Sequence, residues 1–389
     1  MRKIVFSLVF LVLNQKMTKL FVFVLSLCLF FSYGCNISKK ENSAFQTITI
    51  PRTIDADNAD IIENLEYIVL EEKENSYLGQ IAKMRVFQNK IFVLDLMASA
   101  VFIYTIDGKH IATIGDKKGR GPMEFVSVTN FEIDYINHQL VVMDNFGYKF
   151  MVYDLDGGFV KQIDSDVTVV DAVLLSNGYI VHAKPSWEHY RISNECDYII
   201  IADENKQIVK EGFQYDDNKN VNIRIYDVIS SQLDGSINFA PKFRDTIYTV
   251  SFDSIFPKYA INYGDNRSIP KNVIEDIPSP RELYQLINNG SLCFIGEHVE
   301  AKDHIYLSLG YVLKSTTVFY NKQTNNTIAL SHKKYSELYR ILCSDSDGYF
   351  YGVFNITTID DLFKLFPDLQ KLDQSKDMNP ILFRYKVKI

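Results

Sequence analysis

Eight side chains in this sequence stand where they could hold or act on another molecule: Asp95, Arg120, Glu124, Asp144, His182, Trp187, His189 and Arg244. Asp95 and Asp144, with His182 or His189, supply the oxygen and nitrogen donors that a divalent ion takes when it activates water. Trp187, the single tryptophan, lies between the two histidines in His182-Ala-Lys-Pro-Ser-Trp-Glu-His189, with Arg191 close behind. Such a loop could line a pocket, because an indole offers a large stacking surface. It could equally be a surface loop with one aromatic packed inward. Each aspartate, likewise, could cap a strand end or turn instead of serving as a ligand.

Spacing alone assigns no reaction. The seven histidines form no His-Glu-x-x-His or His-x-His pair, and no Ser/His/Asp order or close carboxylate pair can be singled out. The run Gly115–Pro122 lacks the Gly-Lys-Ser/Thr ending of a phosphate loop and precedes a strand, so it reads as a crossover shaped by Gly and Pro. Asp345-Ser-Asp-Gly348 opens like a calcium loop, but Cys343 and Phe354 stand where that loop needs acids. A net charge of −7 without a basic stripe excludes nucleic acid as a partner. No motif calls for a cofactor or a resident metal. Of the five cysteines, Cys196, Cys293 and Cys343 lie in the body at no metal-ligand spacing and read as buried thiols.

The elements that must position these residues are strands. An apolar strand, a tight turn centred on Asn or Asp, and a second apolar strand recur along the chain. The turns are Asn89-Lys90, Asn137-His138, Asn177-Gly178, Asp234-Gly235, Asp303-His304 and Asp347-Gly348. Asn, Asp and Gly tolerate the left-handed backbone that short hairpins demand. A third strand follows each hairpin, as in Val101–Tyr104, Phe150–Tyr153 and Tyr198–Ile201, and a fourth is readable in the first three units. Recurrence at this period predicts an all-β, six-bladed β-propeller over residues 65–389. Insertions interrupt it near 266–289 and 357–379. The last unit ends at Ile389 without a fourth strand, and the orphan Leu65–Leu70 is expected to complete it and close the ring, removing exposed sheet edges.

Successive antiparallel strands return the chain to alternate ends of a blade. Asp95, Asp144, His182 and Arg244 fall at the ends of second strands or in the loops after them. Arg120 and Glu124 fall in a loop between blades on the same side. These groups, with Trp187 and His189, are therefore expected to gather on one loop face around the axial mouth.

Two phrases carry a family resemblance. Gly119-Arg-Gly121-Pro122-Met-Glu-Phe125 resembles the loop of NHL-repeat-like propellers. Phe243-Arg-Asp-Thr-Ile-Tyr248 and Leu65-Glu-Tyr-Ile-Val-Leu-Glu71 resemble phrases of the six-bladed β-propeller lipoproteins abundant in Bacteroidetes. The resemblance spans most of the chain and implies the fold, but little about activity.

The front of the chain reads as an address. Lys16 and Lys19 precede the apolar run Leu20–Phe31, and Ser-Tyr-Gly-Cys35 follows, so residues 1–34 form a secretory signal that could begin at Met17. Gly34-Cys35 looks like a lipobox, which makes Cys35 the lipidated residue and 35–64 a tether. A diacylglycerol thioether with an N-acyl chain would anchor the protein to outer-membrane lipid. Asn36-Ile-Ser-Lys-Lys40 lacks the acidic run that marks surface export in that phylum, which favours the periplasmic side. The expected role is a non-enzymatic binding or scaffold propeller for a glycan, a peptide or an envelope protein. The alternative is a metal-assisted hydrolase or lyase at the axial mouth, built on Asp95, Asp144, His182 or His189.

Overall fold

A computed structural model of the protein describes residues 46–389, apart from 56–59, 74–76, 165–170, 175–179, 184–196, 204–206, 215–227, 242–243, 253, 271–272, 274–279, 312–313, 332–335, 355–362, 364 and 372–378. The signal, Cys28, Cys35, Trp187, His189 and Cys196 lie outside the described residues.

Three N-terminal strands, β1 (Gln46–Thr49), β2 (Ile54–Asp55) and β3 (Ile62–Val69), precede the repeating hairpins. β4 (Ile81–Phe87), β5 (Lys90–Asp95), β6 (Ala100–Thr105) and β7 (His110–Ile114) form the first antiparallel sheet. β8 (Asn130–Asp134), β9 (Gln139–Asp144), β10 (Lys149–Asp154) and β11 (Phe159–Asp164) form the second. β12 (Asp171–Leu174), β13 (Ile180–Ala183), β14 (Asp197–Ala202) and β15 (Ile208–Gln214) form the third. β16 (Ile229–Ser231), β17 (Ile237–Phe239), β18 (Thr246–Val250) and β19 (Ile255–Asn262) form the fourth. After helix α1 (Pro280–Asn288) come β20 (Phe294–Glu300), β21 (His304–Tyr311), β22 (Lys314–Asn321) and β23 (Thr327–Ser331) of the fifth. β24 (Ile341–Ser344), β25 (Phe350–Phe354) and β26 (Ile381–Val387) form the sixth, joined by β3, which pairs antiparallel with β26.

The first strand of each sheet lies innermost. β4 abuts β24 and β8, β8 meets β12, β12 meets β16, and β20 meets β24. Four-stranded sheets set edge-on around a common line are a β-propeller. Apolar side chains fill the space between successive sheets. Phe92, Leu94, Val101 and Ile103 of the first pack against Phe131, Ile133, Leu140 and Val142 of the second. Each such buried side chain contributes roughly 1.5–3 kcal/mol.

Local chemistry explains the turns, with one shift. The first hairpin turns on Gln88 and Asn89, at φ 48° and 57°, because Phe87 pairs with Lys90 across it. That is one residue earlier than Asn89-Lys90. His304 is the first residue of β21 instead of a turn residue. Asn177-Gly178 falls outside the described residues.

The N-terminal segment departs from the expected tether, which was to run from 35 to 64. β1 adds in parallel to the outer edge of β19, with Ile48 opposite Ile261, and β2 adds in parallel to β23. The cause is the alternation Thr47-Ile48-Thr49-Ile50, which buries Ile48 and Ile50 completely. Both expected insertions also pack onto the body. In 266–289, Leu283 and Ile287 of α1 are buried with Ile229, Ile237 and Phe239. In 357–379, a 3₁₀ turn at Pro367–Lys371 buries Leu369, and the Asn379 side chain accepts the Leu78 amide at 2.9 Å. Cys293 and Cys343 are buried thiols, as expected, and burial pushes the Cys293 thiol up to about 12.

Candidate functional site: a loop face and a filled axis

Asp144 ends β9 and is fully buried. Its carboxylate accepts the amides of Val126 at 2.7 Å and Ser127 at 3.2 Å, from the loop that links the first sheet to the second. It also accepts the Gly147 amide at 2.7 Å, from the turn after its own strand. Asp95, at the end of β5, does the same in the first sheet. It takes the amides of Gly79 and of Gln80 (3.0 Å) from the incoming loop, and those of Met97 (2.7 Å) and Ala98 (2.9 Å) from its own turn. Both oxygens of each carboxylate are thus committed to backbone N–H groups. Charge-assisted bonds of this kind are the stronger class. The two aspartates act as staples that join neighbouring loops, and their lone pairs are not left facing solvent for a metal ion.

The stapled loop runs from Gly115 to Val128. Phe125 anchors it in the core between the sheets. Gly119 donates to the Phe125 carbonyl at 2.9 Å, and Phe125 donates to that of Lys117 at 2.9 Å. The Glu124 carboxylate accepts the Gly121 amide at 2.8 Å. A Cβ on Gly119 would collide with that carboxylate, and Gly119 sits at φ 154°, so glycine is required there. Lys149, nearly buried on β10, donates to the Glu124 carbonyl. Lys118 reaches back to the Ser99 carbonyl at 2.7 Å, and burial lowers its pKa.

On this frame lies an open cleft of about 350 Å³, lined by Arg120, Gly121, Pro122, Gly147, Lys149 and Gln162. Met97, Met123, Phe146 and Tyr148 project from the same loops and are exposed, Phe146 by 60%. Of the sequence candidates, Asp95, Arg120, Glu124 and Asp144 are therefore brought together on one face, as two staples, one loop brace and one exposed cation. Arg244 stands on the turn before β18 of the fourth sheet, half-buried, its amide on the Pro241 carbonyl at 3.2 Å. His182 lies on β13 opposite Ala172 and Ile200. The opposite ends of the sheets carry the hairpin turns, where Gln88 and the ring of His138 meet at 3.1 Å.

The axis itself is occupied by charge that sequence reading missed. Lys83 and Arg85 on β4, Glu132 and Asn130 on β8, and Asp171 on β12 are all buried. Lys83 Nζ lies 3.0 Å from Glu132 and 3.7 Å from Asp171. Arg85 grips Glu132 with two bonds, 2.9 and 2.8 Å. Asp171 also accepts from Asn130 at 3.0 Å and from the Ile229 amide at 2.9 Å. A usable signal was present: Lys83 and Arg85, and Asn130 and Glu132, alternate with apolar residues inside innermost strands, so one side of each strand had to face an axis. Farther along that axis, Arg85, Tyr135, Ser230, His298, Glu300 and Cys343 are among the residues around a cavity of only about 40 Å³. Small-molecule sites are usually roughly 300–1,000 Å³. Glu300 beside it is held by Lys258 at 2.7 Å, Lys322 at 3.2 Å, Asn238 at 2.8 Å and the Tyr259 hydroxyl at 3.0 Å. Burial would raise its pKa, but the two lysines outweigh it and hold the carboxyl down at about 2. Among the described residues, no group of three or more His, Cys, Asp or Glu could hold a metal ion. No helix among them is long and apolar enough to cross a membrane.

Comparison with known proteins bears on the fold. A solved structure of a Bacteroides fragilis NCTC 9343 protein, assigned to the exported class, superposes with a TM-score of 0.71 at 17% identity, covering 88% of this chain and 100% of that one. A member of the DUF4221 family from Bacteroides vulgatus ATCC 8482 superposes with a TM-score of 0.55 at 12% identity, covering 85% and 98%. No curated protein matches the chain. Residues 45–386 match a family described as a domain of unknown function, DUF4934.

Proposed function

The chain belongs to the DUF4934 family, and on that footing we propose that it is a non-enzymatic binding or scaffold propeller of the cell envelope. Its six sheets would be the blades of one ring, closed by β3 on β26. The observation that carries the binding reading is the division between axis and loop face. The axial charges pair with one another and the cavity beside Arg85 and Glu300 is only about 40 Å³, whereas the loops of the first two sheets are stapled by Asp95 and Asp144 and present exposed side chains. Rigid loops on a scaffold are where recognition residues concentrate. Of the four residues on which the metal-assisted hydrolase or lyase would be built, Asp95 and Asp144 spend both oxygens on backbone amides, which favours the binding reading.

The address rests on the sequence. A signal over 1–34 and a lipid on Cys35 would anchor the protein to the outer membrane, facing the periplasm. The export assigned to the Bacteroides fragilis protein supports that address. The partner would be a glycan, a peptide or an envelope protein meeting the face that carries Arg120, Met123 and Tyr148. A photo-crosslinking residue placed at Tyr148 in intact cells tests this. Adducts to an envelope component that are lost when the probe is moved to Gln88, on the opposite face, are expected. Equal adducts from both faces would remove the reading.

A further inference from the structure

The cleft beside Asp144 has a chemistry of its own. Two of its six lining residues are ionisable, Arg120 and Lys149, and both are cations. Lys149 is held by the Glu124 carbonyl, while Arg120 is exposed, and no ion pair or hydrogen bond among the described residues engages its guanidinium. A free guanidinium presents a planar fork that matches a carboxylate. Two large residues adjacent in sequence to the lining ones are in left-handed backbone, Met123 at φ 63° and Tyr148 at φ 54°. Both are exposed, by 40% and 47%. A bulky residue at positive φ is costly and persists where its surroundings over-determine it, most often at ligand sites. Here the surroundings are the Asp144 staple on Gly147 and the Glu124 brace on Gly121.

The lining also discriminates between classes of ligand. Apart from Pro122 the lining itself offers no apolar side chain, the exposed Met123 and Phe146 of the same loops standing outside it, so the cleft holds no apolar pocket for a peptide anchor. It offers instead two glycines, a Gln162 side chain and two cations, with the exposed Tyr148 between the lining residues Gly147 and Lys149. Hydroxyl-rich rings bearing a negative group fit that set. We propose that this cleft binds an acidic saccharide, with its carboxylate on Arg120 and a sugar ring stacked at Tyr148. The proposal rests on the binding reading above and supplies its ligand class.

Calorimetric titration of the full chain with trigalacturonate, its methyl ester and free galacturonate tests it. Binding of trigalacturonate, at least tenfold weaker for the ester, is expected. Arg120→Gln should weaken it at least tenfold and Tyr148→Ala several-fold, with Gln88→Ala unchanged. Arg120 and Tyr148 are exposed, so unchanged melting curves should accompany the loss. Affinity for galacturonate equal to that for the trimer would assign the site to a free sugar acid and still support the carboxylate contact. No binding of either acid, an ester that binds as well, or an Arg120→Gln protein of full affinity would overturn the proposal. In each of those cases crosslinks from Tyr148 would still report on the broader binding reading.

Discussion

Lys83 Nζ lies 3.0 Å from Glu132 Oε2, and the two side chains are 0% and 1% exposed. This pair joins the innermost strands of the first and second sheets. Arg85 and Asp171 complete it, so two cations and two anions share one buried site. Removing one partner strands the others. Glu132→Gln is expected to cost about 3–5 kcal/mol of stability, read by chemical denaturation. Lys83→Met combined with Glu132→Leu should cost less than the sum of the two single changes, and additive losses would mean that the pair is not coupled.

Asp144 is a staple, and its variants should behave as such. Asp144→Ala leaves three amides without their acceptor and is expected to cost about 2–4 kcal/mol. Hydrogen exchange should speed up at Val126, Ser127 and Gly147 ahead of the rest of the sheet. Protection that stays unchanged at those amides would disprove the role.

Glu300 makes stability depend on acid. Its folded carboxyl titrates at about 2, below the ordinary 4.5. Folding therefore favours the ionised form, and the contribution is fully present above about pH 5 and fades as pH falls from 4.5 towards 2. Denaturation midpoints between pH 3 and 7 should show a decline over the acid limb. Glu300→Gln should be less stable at pH 7 and show a shallower decline, since its side chain does not titrate.

The N-terminal strands differ in what they cover. β3 supplies the antiparallel partner of β26, whereas β1 adds a short parallel strand to β19. Deleting residues 62–70 should lower the melting temperature most and promote aggregation through the bared edge. Deleting residues 46–50 should lower it less, yet measurably, because Ile48 and Ile50 are buried. A truncation lacking 36–44 should melt like the full chain. Equal melting of all three would count against ring closure by β3.

Cys35→Ser should release the protein from the membrane fraction with its melting curve unchanged, because the lipid would sit outside the sheets. Variant protein that still sediments with membranes would refute the anchor.

Much of the architecture is local, and local features are written in consecutive residues. The hairpin phrases, the all-β propeller and the side on which Asp95, Asp144, Arg120 and Glu124 fall all follow from strand order and turn chemistry. So does the orphan Leu65–Leu70, now found within and just beyond β3. The first turn slipped by one residue because Gln88, which has no marked turn preference, takes positive φ once Phe87 and Lys90 pair. That the aspartates cap the turns after their own strands was one of the two readings the sequence offered, and Gly147 on Asp144 bears it out; that Asp144 also takes the amides of Val126 and Ser127, from another sheet's exit loop, was not legible. Nor was the fate of residues 46–55, because a parallel edge strand needs a partner about 200 residues or more away in sequence that only the folded sheets present. The axial network is the clearest case. Lys83, Glu132 and Asp171 lie in three separate strands, and only the packing of three sheets around one line brings them within ion-pair distance. Sequence determines the strands and the face each residue takes; burial, and the pairing that burial enforces, is decided where the strands meet.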